Sequence, residues 1–133
     1  MQCLFCDIIN NKKPSFKVWE NEDFLAFLDI KPINPGHMLL IPKRHIQGVF
    51  DLPDDIYNEI FIVARKLSEP LRQTTSALRI GFAIEGFGVP HAHVHLVPIN
   101  SGNELNPERS KRTSETELRK MQEKLLNGFE KIK

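Results

Sequence analysis

Residues 91–97 read His-Ala-His-Val-His-Leu-Val, and this alternation constrains the fold more than any other stretch of the chain. In a β-strand, residues two apart share a face, whereas a helix would scatter the same side chains around its axis. His91, His93 and His95 are therefore predicted to point to one side of a strand. The small and apolar residues between them are predicted to face the core on the other side.

The three histidines cannot all bind one ion on such a strand. His91 and His95 would lie about 13 Å apart, so at least one ring must serve another purpose. The alternative is that the three rings simply face solvent. Histidines aligned in this way are instead expected to have one ring nitrogen fixed by a hydrogen bond and the other available for binding or chemistry. A structural zinc ion commonly takes two cysteines and two histidines, and spacing alone leaves open which ones. The other candidate ligands are two histidines and two cysteines: His37, His45, Cys3 and Cys6.

The remaining periodicities predict a single domain of strands and helices. Apolar residues recur at helical spacing from Pro53 onward, and Pro70 is expected to kink or end that helix. The last two strands are separated by a segment too short for a helical crossover, so they should pair antiparallel. A short helical stretch is predicted at residues 4–10, and the five strands at residues 16–20, 24–30, 37–42, 77–86 and 91–99.

The chain becomes polar after Ser101, which suggests a division between residues 1–105 and 106–133. The second part is predicted to be a polar linker followed by a C-terminal helix. Ser114 and Glu117 form a capping-box pattern at its start, and one apolar stripe follows it. We expect the helix to pack on the domain or on a partner subunit. The basic residues of the linker lack interleaved aromatics, so they indicate a solvated segment rather than a nucleic-acid site.

Composition excludes several classes of partner. The net charge of +1 provides no general attraction for nucleic acid or an anionic membrane. No apolar run approaches the roughly 18 residues of a membrane span, and the N-terminus does not resemble a signal peptide. We therefore expect a cytoplasmic protein with reduced thiols. A cytoplasmic pair such as Cys3 and Cys6 is a redox couple or half of a metal site, and the absence of a following βαβ pattern disfavours the redox couple.

Four segments in register resemble the histidine triad (HIT) family. They are "CLFCDII", "FLAFLDIKPINPGH", "IPKRHI" and the triad "HAHVHLV", and their order and spacing agree with the family over about residues 3–98. The resemblance is to the small nucleotide-binding branch with a zinc site. It implies an α+β fold with an antiparallel sheet of about five strands, one long helix, a short N-terminal helix and a C-terminal helix. It also implies a homodimer that cleaves nucleotides at the α-phosphorus through a nucleotidyl-histidine intermediate.

The resemblance implies a role for each histidine. His93 matches the nucleophile, His95 the histidine that contacts the phosphate, and His37 the upstream histidine that supports the triad. The ligands of a structural zinc ion correspond to Cys3, Cys6, His45 and His91. A neutral imidazole is a good nucleophile near pH 7 when its other nitrogen is held by a hydrogen-bond acceptor.

The resemblance also implies a pocket for a purine nucleoside monophosphate or a derivative of it. Asp29 would accept hydrogen bonds from the ribose, although it could instead form a turn before Pro32. The apolar members of the pocket could equally be plain core residues. The nucleotide-binding set comprises Phe5, Ile8, Phe27, Asp29, Ile30, Gly88 and Val89. Family members usually carry a glutamine and a hydroxyl residue in the loop before the triad, where this chain has Phe87 and Gly88, and Glu85 lies nearby.

These features predict an enzyme that hydrolyses or transfers from a nucleoside 5′-phosphate derivative, either a phosphoramidate or a dinucleoside polyphosphate. The altered loop suggests an alternative, a nucleotide-binding regulatory dimer with little turnover. A third interpretation makes the histidine strand a catalytic metal site, in which His93 or His95 would bind the ion.

Overall fold

The structure is a computed structural model that describes residues 2–132. Five strands and three helices form one α+β unit, as predicted. No helix in this part of the chain is long and apolar enough to cross a membrane. The helices are α1 (Leu4–Ile9), α2 (Asp54–Thr75) and α3 (Glu115–Gly128); the strands are β1 (Lys17–Glu20), β2 (Phe24–Leu28), β3 (Met38–Pro42), β4 (Arg79–Ala83) and β5 (Val94–Ile99).

The strands form one antiparallel sheet in the order β1-β2-β3-β5-β4. The central strands β2 and β3 are buried throughout, because both faces of the sheet are covered. Helices α2 and α3 pack on one face, against residues such as Leu40 and Leu96. On the other face, Phe5 and Ile8 of α1 pack against Phe27 and its neighbours in β2 and β3.

Strand β5 begins three residues later than predicted, at Val94. Its pairing with β3 ends at Leu40 opposite Val94, and its pairing with β4 ends at Ala83 opposite His95. Continuing the β3 register would bring Pro42 alongside, and proline has no N–H to donate to a ladder. His91 and His93 therefore lie in the segment that leads into β5.

Helix α2 continues past Pro70 to Thr75, so the expectation that it would end at this proline is wrong. The ring removes one hydrogen bond, to the carbonyl of Lys66. Lys66 is exposed, so water can satisfy that oxygen. Buried residues on both sides of the proline, Leu67 and Leu71, hold the helix against the core.

Helix α3 begins where the capping pattern predicts, with the Ser114 hydroxyl accepting a hydrogen bond from Glu117 N at 3.1 Å. Its apolar stripe packs on α2 and β1 of the same chain. The division of the chain at residue 105 stays a prediction.

Truncation of the α3 stripe tests whether this helix is part of the folding unit. Leu125 is fully buried, whereas Leu126 beside it is 49% exposed. We expect Leu125→Ala to lower the free energy of unfolding by about 2–5 kcal/mol, because it leaves a cavity. Leu126→Ala should change it by less than about 0.5 kcal/mol. Urea unfolding of both variants measures the difference, and equal effects would contradict this packing.

Candidate functional site

The three histidines of the triad lie on the side of the chain opposite the main core. Ala92, Val94 and Leu96 belong to the cluster under α2, as the alternation predicts. The ring of His93 lies between two other rings, with its centroid 5.3 Å from that of Phe5 and 5.4 Å from that of His95.

The hydrogen bond of His93 determines which of its nitrogens is free. Its Nδ1 lies 2.7 Å from the carbonyl oxygen of His91, which can only accept, so Nδ1 carries the proton. In the neutral ring, Nε2 then holds the lone pair and is available to attack an electrophile. The side chain is 5% exposed, so little solvent surrounds the ring.

His37 and His95 form a second ordered pair. The backbone N–H of Ile33 donates to His37 Nδ1 at 3.0 Å, so the proton of this neutral ring is on Nε2. That Nε2–H points at His95 Nδ1, 2.9 Å away. His95 Nδ1 is therefore an acceptor, and its own proton is on Nε2. This chain of bonds makes His95 a neutral donor beside His93.

Burial keeps both rings of this pair neutral. Desolvation lowers the pKa of His37 from 6.5 to about 4, although the negative charge of Asp29 acts to raise it. Burial of the His95 ring is the main cause of its lowered pKa, and the nearby His93 lowers it further. Near pH 7 neither ring is charged, which the donor and acceptor roles above require.

The low pKa of His37 predicts a pH-dependent stability. Below about pH 6.5 the unfolded chain binds a proton at this residue, and the folded chain does not until about pH 4. The free energy of unfolding should therefore fall by about 2–3 kcal/mol as pH decreases from 6.5 to 4.5. Denaturant titrations over this range measure it. His37→Gln should flatten the dependence, and an unchanged slope in that variant would contradict the assignment.

Four potential metal ligands, Cys3, Cys6, His45 and His91, meet between α1 and the triad segment. The sulfur of Cys3 lies 3.4 Å from His91 Nδ1, and that of Cys6 lies 3.3 Å from His45 Nδ1 and 3.5 Å from His91 Nδ1. The two histidine nitrogens are 3.3 Å apart. Ligand atoms around a tetrahedral zinc ion are separated by about 3.3–3.8 Å. The cluster therefore has the size and donor set of a structural zinc site.

The outer contacts of the cluster also suit a metal. His91 Nε2 lies 2.8 Å from the carbonyl oxygen of Pro42 and must donate to it, which leaves a lone pair on Nδ1 toward the cysteines. Burial, followed by the neighbouring Cys3, raises the pKa of the Cys6 thiol to about 11. Metal binding must displace this proton, so affinity for the ion should fall as pH decreases.

A second group of potential ligands, Asp29, His37 and His95, also brings its donor atoms within 4.8 Å of one another. Its bonding does not suit a metal, because a ligating histidine normally donates its second N–H, whereas His37 Nδ1 accepts from Ile33. An ion on Nε2 would require a fully deprotonated ring. These bonds disfavour the third interpretation of the sequence, because His93 lies outside both groups and His95, a member of the second, is hydrogen-bonded to His37.

A cavity of about 300 Å³ opens beside His95, and Asp29 and His37 contribute to its wall. Asp29 forms the turn, since its Oδ1 accepts from Lys31 N at 2.8 Å, while Oδ2 lies 3.6 Å from His37 Nε2. The remaining wall includes residues that the sequence did not single out: Lys31, Ile33, Ala83, Val97, Leu105, Pro107 and Ser110. Lys31, Ile33 and Val97 lie within the motif segments quoted above. Ala83, Leu105, Pro107 and Ser110 come from other parts of the chain, which no local pattern connects to the triad.

The other predicted nucleotide residues divide into two groups. Phe5, Ile8 and Phe27 are buried together in the apolar cluster under α1, with Val89 packed against it. Ile30 and Gly88 are exposed. Gly88 has a φ of +92°, a conformation that favours glycine.

The antiparallel sheet, the paired imidazoles and the Cys/His cluster together define a histidine triad protein. The chain belongs to the HIT domain family, whose sequence profile matches residues 10–102. It is 36% identical over 124 residues to an uncharacterised HIT-like protein of Borreliella burgdorferi, covering 82% of this chain and 89% of that protein. It is 38% identical over 97 residues to an adenosine 5′-monophosphoramidase of Saccharomyces cerevisiae, covering 72% and 61%. The family thus includes a nucleotide hydrolase.

Solved structures share the whole fold. A zinc-bound histidine triad family protein from Mycobacterium smegmatis superposes with a TM-score of 0.85 at 28% identity, covering 99% of this chain and 96% of that one. A hypothetical histidine triad nucleotide-binding protein from Sulfolobus tokodaii gives 0.85 at 27% identity, covering 96% and 92%. The predicted family and the fold class are confirmed.

Proposed function

We propose that the protein is a nucleotide hydrolase or transferase that cleaves at the α-phosphorus of a nucleoside 5′-phosphate derivative. The observation that carries this proposal is the bonding of His93, whose Nδ1–H is held by the His91 carbonyl at 2.7 Å. The arrangement leaves Nε2 free beside a neutral donor, His95, ordered by His37 at 2.9 Å. A nucleophile and a donor for phosphoryl oxygens are the two groups that such a reaction needs.

The reaction has two steps. His93 Nε2 forms a bond to phosphorus, and the bond from phosphorus to the leaving group breaks with its electron pair on the leaving atom. Solvent supplies the proton that this atom takes up. Water then attacks phosphorus, the electron pair returns to Nε2, and the nucleoside monophosphate leaves with release of one proton. His95 Nε2–H stabilises the developing negative charge in both steps.

We assign the nucleoside to the neighbourhood of α1. Phe5 contacts both Phe27 and His93, so a purine held near these rings would present its phosphate to the nucleophile. Asp29 is the ribose ligand in this proposal, with Ile8, Ile30, Gly88 and Val89 around the base. Zinc at the Cys/His cluster would have a structural role, fixing α1 and the start of the triad segment.

Intact-protein mass spectrometry with a slowly cleaved adenosine phosphoramidate tests the proposal. We expect a mass increase of one adenylyl group, mapped by fragmentation to His93 and abolished in His93→Ala. Steady release of AMP by the wild type should accompany it. An adduct on another residue, or turnover with no protein adduct, would contradict the mechanism.

The alternative, a nucleotide-binding regulatory dimer with little turnover, has one observation in its favour. Glu85 lines the same cavity as His95, and a carboxylate there opposes an approaching phosphate. Calorimetry separates the two functions: tight AMP binding with negligible turnover of phosphoramidates and dinucleoside polyphosphates would favour the alternative.

We also propose that the functional unit is a homodimer. Strand β4 lies at the edge of the sheet, and four exposed or partly exposed aromatic side chains run beside it: Phe50, Tyr57, Phe61 and Phe82. Neighbouring ring centroids are 5.1–6.3 Å apart. A second copy could pair with the edge strand and cover these rings. Analytical ultracentrifugation should find a dimer for the wild type and for Leu126→Glu, and a monomer for Phe61→Glu.

A cytoplasmic location is part of the same proposal, since a Cys/His metal site needs reduced thiols.

A further inference from the structure

The hydrogen bond between His37 and His95 can run in either direction. Its two nitrogens, His37 Nε2 and His95 Nδ1, lie 2.9 Å apart, and the proton between them can belong to either ring. A proton on His37 leaves His95 with an Nε2–H, which can donate to a phosphoryl oxygen. A proton on His95 Nδ1 would instead leave a lone pair on its Nε2, which repels that oxygen.

The backbone N–H of Ile33 selects the first of these patterns. It donates to His37 Nδ1 at 3.0 Å, so a proton on that nitrogen would face the N–H and break the bond. The negative charge of Asp29 favours the same pattern, but its Oδ2 is 3.6 Å from His37 Nε2, too far for a hydrogen bond. The protonation of both rings therefore depends on where the Ile33 N–H points.

Ile33 lies in the turn between β2 and β3, which the sheet does not hold at this point. The pairing of β3 with β5 starts with Met38 opposite Leu96. Continuing that register would bring Gly36 opposite Pro98, and proline has no N–H to donate to a ladder. The turn must be fixed to β5 by other bonds.

The side chain of Asn34 supplies such a bond. Its Nδ2 donates to Pro98 O at 2.8 Å, and its Oδ1 accepts from the Arg109 guanidinium at 3.2 Å. A carbonyl only accepts and a guanidinium only donates, so the orientation of the amide follows from its partners. The carbonyl oxygen of Asn34 also accepts from His37 N at 3.1 Å. One residue thus joins β5 to the backbone of His37.

The surroundings leave the turn little freedom. Gly36 has a φ of +92°, and a Cβ added to it would lie 2.7 Å from Thr75 Cγ2 and 3.1 Å from Pro98 Cγ. The peptide that carries the Ile33 N–H is held at its other end, because Pro32 O accepts from Lys111 N at 3.2 Å. The backbone bond of Lys111 fixes this peptide on one side, and Asn34 fixes the chain immediately after it.

We propose that Asn34 is a positioning residue for the reaction, which keeps the Ile33 N–H directed at His37 Nδ1. Through His37 it makes His95 a donor to phosphate rather than an acceptor. The catalytic part of this inference rests on the proposed function, whereas the protonation of the two rings does not depend on it.

Nuclear magnetic resonance of the full-length protein with ¹⁵N-labelled histidine tests the protonation directly. Long-range ¹H–¹⁵N correlations identify the protonated nitrogen of each ring, and His37→Gln assigns the signals of that ring. In the wild type we expect the proton on Nε2 of both His37 and His95. Asn34→Ala should shift the Nδ1 resonance of His95 toward that of a protonated nitrogen, because part of the population reverses the bond.

Two further variants separate positioning from general stability. Asn34→Asp keeps the shape and the acceptor for Arg109 but cannot donate to Pro98 O, so it should shift the same resonance. Asn100→Ala is the matched control, because it removes another asparagine bond at the same end of β5, from Leu78 N at 3.1 Å. It should leave the histidine resonances unchanged. Melting curves establish that each variant is folded.

Turnover of adenosine 5′-phosphoramidate measures the consequence for the reaction. Asn34→Ala and Asn34→Asp should lower kcat about tenfold and change KM by less than about twofold, because the His95 bond strengthens as charge develops on phosphate. Asn100→Ala should change neither value.

Unchanged His95 resonances in the folded Asn34 variants would overturn the inference. Shifted resonances with wild-type kcat, or equal losses in Asn34→Ala and Asn100→Ala, would also overturn it. A wild-type protein that cleaves no nucleotide derivative would contradict the proposed function instead. The resonance comparison would still decide whether Asn34 sets the protonation of the two rings.

Discussion

His93→Ala is expected to reduce turnover by at least about a thousandfold while leaving the metal content of the protein unchanged. The variant removes the nitrogen that acts as the nucleophile in the proposed mechanism, and loss of a covalent catalyst is typically this severe. The Cys/His cluster does not include His93, so its four ligands remain in place. Single-turnover assays with an adenosine phosphoramidate, together with elemental analysis, measure both quantities.

His95→Gln is the matched comparison for this experiment. A glutamine amide can still donate to phosphate, so we expect a smaller loss, about 10²–10³-fold, characteristic of a removed charge-stabilising donor. Neither variant should lower the melting temperature by more than a few degrees. Normal turnover in His93→Ala, or loss of metal from it, would contradict the division of the triad into one ring for the ion and one for phosphorus.

Disruption of the proposed zinc site is expected to have a large effect on stability. Cys3→Ser deletes one buried ligand, and we expect the free energy of unfolding to fall by about 3 kcal/mol or more. For a chain of 133 residues this corresponds to a decrease in melting temperature of about 10 °C. The reason is local: α1 has six residues and depends on the cluster and on Phe5 for its position.

A chelator provides the control for this prediction. It should destabilise the wild type to a similar extent and have no further effect on Cys3→Ser. His37→Gln, which is outside the cluster, should keep the full metal content. A wild-type melting temperature that does not respond to the chelator would contradict a structural role for the ion.

Much of this architecture is visible in the sequence, because alternation and helical spacing reflect which side chains are buried. The placement of Ala92, Val94 and Leu96 in the core follows directly from the period of two. The family resemblance implied Cys3, Cys6, His45 and His91 as one site, and the structure brings these four residues together. Counting candidate ligands alone left open which histidines belong to it. The catalytic and nucleotide-binding roles of individual residues stay predictions.

Other features depend on tertiary contacts that no local pattern encodes. The late start of β5 follows from where its two neighbours stop, and the persistence of α2 through Pro70 follows from the buried leucines on either side. The polar segment after residue 102 resembles a solvated linker in composition. It lines the cavity because its backbone bonds to the turn at residues 30–32, an interaction that leaves no mark on side-chain periodicity.

His91 places its imidazole in the Cys/His cluster, and its carbonyl oxygen accepts a hydrogen bond from His93 Nδ1. Only a histidine at position 91 supplies the imidazole, whereas any residue there would supply the backbone carbonyl oxygen. Because zinc would fix both α1 and the start of the triad segment, protein made under metal scarcity would open its N-terminal turn to proteases more often and would hold the His91 carbonyl less firmly. We expect scarcity to lower both the number of molecules that survive in the cell and the rate at which each survivor works.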